Sequence, residues 1–141
     1  MPTTEAVPAR ITQVRTSMII GTVRILPTPG RHDDVLEVLR SVQGPVRAQP
    51  GCAACDIFDE PGPEPTIVLL ERWETRQAFE DHLRSEEYRR VIEAVELSGS
   101  RPDFSFEHVA SVEGFELVER LRNPAGPDGG GEWPPRRGSN P

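Results

Sequence analysis

Thr66-Ile67-Val68-Leu69-Leu70-Glu71-Arg72-Trp73-Glu74 is the most apolar stretch of the chain, and Thr75 opens a segment of helical spacing directly behind it. Its β-branched and aliphatic residues suit a strand. Ile67 and Leu69 share one parity while Val68 and Leu70 share the other, so a sheet built on this strand carries apolar residues on both faces. The turn-rich Glu60-Pro61-Gly62-Pro63-Glu64-Pro65 separates it from Cys52 to Asp59, a second strand, and the two read as a hairpin. On the other side, Thr75 is placed to cap a short helix with Ala78, Phe79, His82 and Leu83 on one face. Ser85, followed by Glu86 and Glu87, is placed to cap another that turns Tyr88, Val91, Ile92 and Val95 inward.

Further out, Met18 to Leu26 reads as a strand stopped by Pro27, Pro29 and Gly30. Arg31 to about Arg47 reads as a helix, because Val35, Leu36, Val38, Leu39, Val42 and Val46 recur at three and four residues and Asp33 and Asp34 occupy its first turn. Gly44-Pro45 is expected to kink or end it. From Asp103 to Val112, Phe104, Phe106, His108, Ala110 and Val112 alternate with Asp103, Ser105, Glu107, Val109 and Ser111, the period of a strand. Gly114 permits a turn, after which Phe115 to Leu121 reads as a fifth strand or a swapped arm. The order strand, helix, strand, strand, helix, strand is that of an α+β, ferredoxin-like βαββαβ plait. Helices on one face leave the other apolar face bare, and a second copy packed sheet against sheet would cover it, so a homodimer is expected.

The chain has 141 residues, 23 Asp and Glu against 16 basic residues that are all Arg, and a net charge of -7. That length suits one domain, expected over 18–122 between a disordered N-terminal segment, 1–17, and a disordered Pro/Gly-rich tail, 123–141. The absence of Lys excludes a Schiff-base mechanism and a Walker-type phosphate site. With no basic stripe and an acidic balance, nucleic acid is not an expected partner. No apolar run reaches membrane-spanning length and no apolar signal-type core is seen near Met1, so a cytoplasmic protein without membrane contact is expected. Cys52 and Cys55 are too few for a disulfide framework. On a regular strand they would face opposite sides about 10 Å apart, which leaves them as small buried thiols.

Leu70-Glu71-Arg72-Trp73-Glu74, then Ala78 and His82-Leu83-x-Ser85, with Pro50-Gly51-Cys52 at the start of the second strand, resembles the antibiotic biosynthesis monooxygenase family over about Met18 to Val112. The resemblance implies a homodimeric α+β barrel of ferredoxin-like protomers. It also implies oxidation of a quinol, phenolic or polyketide-like aromatic by dioxygen without metal, flavin or other cofactor. A haem-degrading branch shares the fold and is expected to use an Asn on the first strand, but this chain has no Asn before Asn123. A non-enzymatic dimer of the same fold, binding a small ligand or serving as an accessory protein, is the second reading.

Cofactor-free oxygenation needs a base, a holder for the resulting anion, and an apolar pocket for the ring. His82, three residues after Phe79, points with the helix's apolar face toward the sheet and is the expected catalytic base. Trp73, at the end of the third strand, is expected beside it to stack on the substrate and donate its indole N–H. Arg24, Tyr88, His108 and Phe79 are the expected substrate-binding residues: Arg24 holding the anion, Tyr88 orienting substrate at the pocket mouth, and His108 and Phe79 lining the cavity.

Overall fold

The computed structural model describes residues 14–15 and 17–123. One compact unit spans Thr16–Ala110. In it, strand β2 (Ile19–Ile25) leads to helix α1 (His32–Arg47), the hairpin β3 (Cys52–Glu60) and β4 (Thr66–Trp73), helices α2 (Arg76–Leu83) and α3 (Glu86–Val95), and strand β5 (Asp103–His108). The four strands form one open antiparallel sheet in the order β3-β4-β2-β5, the ferredoxin-like plait expected from the sequence. Helices α1 and α3 pack on each other and on one face of the sheet, burying Val35, Leu39, Val42, Val46, Val91 and Ala94 against Ile19, Val23, Ile25, Ile67 and Leu69.

Register decides which side chains share that covered face. Across the sheet run the rows His108, Ile19, Trp73, Cys52; then Phe106, Gly21, Glu71, Cys55; then Phe104, Val23, Leu69, Ile57. The opposite face carries Ile20, Thr22, Arg24, Val68, Leu70 and Arg72, with Phe58 on the neighbouring strand 49% exposed. Both helix caps form as expected. The Thr75 side chain accepts from the Ala78 N–H and the Ser85 side chain from the Tyr88 N–H, which fixes where α2 and α3 begin.

Three expectations need correction. Pro45 lies inside α1 and does not end it. The amide it lacks would have bonded the carbonyl of exposed Ser41, while fully buried Val46 holds the last turn on the core. Arg47 adds a 3.1 Å bond to the Cys55 carbonyl, which also accepts from Gln43 at 2.9 Å. Secondly, a bulge shifts the β3 register between Cys52 and Ala54, so Cys52 stands opposite Trp73 and Cys55 opposite Glu71. The extra residue reverses the alternation, and both thiols therefore face the helices instead of opposite sides. Their strand partners are two residues apart, which brings the Cα atoms to within about 7 Å at strand spacing.

Thirdly, Phe115 to Leu121 is a helix and not a fifth strand. Helix α4 (Phe115–Arg122) belongs to a second compact unit, together with β1 (Val14–Arg15) and β6 (Ser111–Val112), which pair antiparallel. Phe115, Val118 and Leu121 recur every three residues, with Glu116 in the first turn and Arg120 and Arg122 in the last, a pattern that suits a helix. The alternation from Asp103 likewise stops at His108, which pairs with Ile19, the first residue of β2. Ser111–Val112 then pairs with β1. The segments 1–17 and 123–141, expected to be disordered, lie almost wholly outside the described residues. Among the described residues no helix is long and apolar enough to cross a membrane.

Candidate active site

Helix α2 crosses the covered face from β5 toward β4, and Arg76, Phe79 and His82 form its sheet-facing stripe at intervals of three. Close approach of α2 to β3 depends on Gly51. Its φ is +82°, and a Cβ there would stand 2.5 Å from the Ala78 Cβ. This explains Pro50-Gly51-Cys52 physically: only glycine adopts that backbone angle freely and leaves room for the helix.

His82 and Trp73 do converge. Their ring centroids are 4.4 Å apart with planes inclined by 24°, and Tyr88 closes the other side edge-on at 5.1 Å. Trp73 is fully buried and His82 is 1% exposed. The imidazole is hydrogen-bonded at both nitrogens. Nε2 lies 3.0 and 3.1 Å from the two oxygens of the Glu71 carboxylate, and Nδ1 lies 2.8 Å from Gln49 Oε1. Gln49 Nε2 donates to Glu87 at 2.8 Å, so the amide oxygen faces His82 and Nδ1–H is the donor. Trp73 Nε1–H donates to Glu71 Oε1 at 3.3 Å.

Glu71 was not singled out in the sequence, yet it and His82 are the two buried polar or ionisable side chains of the covered core among the described residues, Glu71 at 4% exposure. The signal was present in its parity: it shares the strand face of Ile67, Leu69 and Trp73. Gln49, in the loop between α1 and β3, had no such signal. The buried charge of Glu71 extends to its neighbours. Burial first, and the nearby carboxylate second, raise the Tyr88 hydroxyl well above the usual phenol range. The same two causes, in the same order, push the Cys55 thiol up to about 12. Cys52, half-buried, is raised chiefly by burial. Both cysteines are free thiols. The Tyr88 hydroxyl makes no hydrogen bond among the described residues.

The other expected site residues are distributed as follows. Phe79, 3% exposed, packs its ring on Phe106 at 5.2 Å. His108 is on the covered face but exposed, 3.0 Å from Arg76. Arg24 is on the opposite face, paired with Glu60 at 2.6 Å, and is not brought together with His82, Trp73, Tyr88 and Phe79. A cleft of about 400 Å³ lies at the far end of β2, lined by Leu26, Pro27, Pro29, His32, Pro63 and Pro65, and holds none of the expected residues. Among the described residues no three His, Cys, Asp or Glu side chains converge as a metal-ligand set.

A plait with a buried carboxylate, imidazole and indole beneath its second helix defines a class of α+β proteins with a polar centre between sheet and helices. Residues 18–94 match the antibiotic biosynthesis monooxygenase family, and the chain belongs to it. A Bacillus subtilis protein named "Putative monooxygenase YcnE" is 32% identical over 65 residues, 46% of this chain and 68% of that one. Among solved structures, Rv0793 of Mycobacterium tuberculosis superposes with a TM-score of 0.60 at 23% identity, covering 66% of this chain and 95% of that one. SO0527 of Shewanella oneidensis does so with a TM-score of 0.63 at 16% identity, covering 71% and 99%. At these identities the structural likeness establishes the fold.

Proposed function

We propose that this protein is a cofactor-independent monooxygenase that oxidises a quinol, phenolic or polyketide-like aromatic with dioxygen, acting as a homodimer in the cytoplasm. The observation that carries this reading is the buried Glu71–His82 pair. Burying a carboxylate and an imidazole together brings little stability, since desolvation offsets their attraction, and such pairs concentrate at sites that handle protons. With Nδ1–H committed to Gln49, the pair shares one proton at the Nε2 contact, and a proton taken from substrate is held on a Glu71 oxygen beside His82.

For a substrate such as an anthrone, deprotonation gives an electron-rich enolate. Dioxygen then converts the ring methylene to a carbonyl, one oxygen atom entering the product and the other leaving as water, with all four electrons supplied by the substrate. Trp73 and Phe79 supply the apolar wall, and Tyr88 offers an unengaged hydroxyl at its edge. Arg24, on the open face and paired with Glu60, is separated from this chemistry by the sheet. Phe58, 49% exposed on that face, with half-buried Ile20 and Leu70 beside it, supports the homodimer.

One observation favours the second reading, a dimeric ligand-binding or accessory protein without turnover: both nitrogens of His82 are occupied and its ring is covered on the Trp73 and Tyr88 sides. Oxygen uptake by the purified, metal-stripped protein with hydroquinones and anthrones separates the two. Uptake supports the oxygenase. Binding of the same compounds without uptake supports the carrier.

A further inference from the structure

Beside the buried pair, at the β5 end of α2, lies a surface that the oxygenase reading leaves unused. Phe106 is 42% exposed and Phe104 37%, both on the covered face of an edge strand. Phe106 leans over Gly21, where an added Cβ would meet its Cδ1 at 3.2 Å. Its ring lies 5.2 Å from that of Phe79 and 6.2 Å from that of Phe104. This aromatic shelf ends at Arg76 and His108. Arg76 gives Nε–H to Glu80 at 2.6 Å, and its NH1 nitrogen lies 3.0 Å from His108 Nε2. A guanidinium only donates, so Nε2 is the acceptor and His108 carries its ring proton on Nδ1. That N–H and the NH2 nitrogen of Arg76 have no partner among the described residues. Glu80, the nearest acid, is held by Arg76 and by Arg84 at 3.7 Å.

We propose that this shelf binds an aromatic carboxylate, its ring on Phe104 and Phe106 and its carboxylate on the free NH2 donor of Arg76, which the contact to His108 holds in place. Exposed phenyl rings offer edge and face contacts to a flat ligand. A guanidinium donor suits a carboxylate, and the NH2 nitrogen of Arg76 is the one left free by Glu80 and His108. A role for this subsite in turnover rests on the oxygenase reading, whereas the binding itself does not.

The test is titration of the full chain with 1-naphthoate, followed by calorimetry, with neutral 1-methylnaphthalene as comparison. The expected result is saturable 1-naphthoate binding, weaker methylnaphthalene binding, and a loss of about tenfold or more in Arg76→Gln, as for a hydrogen bond to a charged group. Phe106→Ala should weaken both compounds, while Arg89→Gln, on the solvent side of α3, should change neither. Absence of saturable binding overturns the proposal, as does equal affinity for the two compounds or an unaltered Arg76→Gln. Binding without oxygen uptake by any aromatic leaves the subsite standing and removes the oxygenase reading.

Discussion

Replacing Glu71 by Ala and by Gln should have very different consequences, and the difference can be worked out from the hydrogen bonds. In Glu71→Ala the His82 Nε2 and the Trp73 Nε1–H both lose their partner inside a site that is at most 4% exposed. An orphaned buried polar group costs about 1–3 kcal/mol, and removal of one member of a buried pair costs about 3–5 kcal/mol. A loss of about 3–5 kcal/mol is therefore expected, a large share of the stability of a domain this size. Glu71→Gln keeps the shape. Its amide oxygen can accept from Trp73, and its NH2 can donate to His82 Nε2 because the imidazole proton already sits on Nδ1 toward Gln49. The expected cost is about 1 kcal/mol or less. Urea unfolding at pH 7, followed by far-ultraviolet circular dichroism, measures both. Equal destabilisation by the two substitutions would refute the assignment of the proton to Nδ1, and a neutral Glu71→Ala would refute the structural importance of the network.

Gly51→Ala should lower stability by more than the helix-cap variants Thr75→Ala and Ser85→Ala, each worth about 1 kcal/mol, because it meets both a φ of +82° and the Ala78 methyl group; thermal melts of the three variants check the order. His32 is held above its usual range by the Asp59 hydrogen bond, with Asp33 adding to it. Its contribution to stability is therefore fully present below about pH 6.5 and fades as pH rises through the higher folded value. The stability gap between wild type and His32→Gln should shrink from pH 5.5 to pH 8.5 in urea titrations, and a gap that widens would contradict the ion pair. Iodoacetamide labelling followed by mass spectrometry should modify half-buried Cys52 before Cys55, whose thiol titrates at about 12, with Cys55 labelled only on unfolding. Leu70→Glu, on the open sheet face, should yield a monomer by light scattering if a second copy covers that face, and an unchanged mass would remove the sheet-to-sheet dimer.

Element identity and order were legible where side-chain period and caps agreed. Thr75 and Ser85 marked the starts of two helices, and the alternation of Phe104, Phe106 and His108 marked an edge strand. The convergence of His82 on Trp73 followed from helical spacing and the position of Trp73 at a strand end. What escaped the sequence depended on tertiary context. The bulge at Ala53 has no local signature, and it moved Cys52 to the face of Cys55. Pro45 was outweighed by Val46 and Arg47 packing below it. Glu71 could have been found from parity, but an acid on an apolar strand face reads as an exception until the imidazole above it is seen. Gln49 comes from a loop, where no period constrains direction.

Proton handling by the buried Glu71–His82 pair is what turnover requires. Dioxygen consumption with an anthrone should be measured for wild type and for His82→Gln, using variant protein whose circular dichroism and unfolding midpoint show it folded. Uptake by the wild type that disappears in the variant is the predicted result. Uptake that survives the substitution, or a wild type that binds the anthrone and consumes no oxygen, would contradict it.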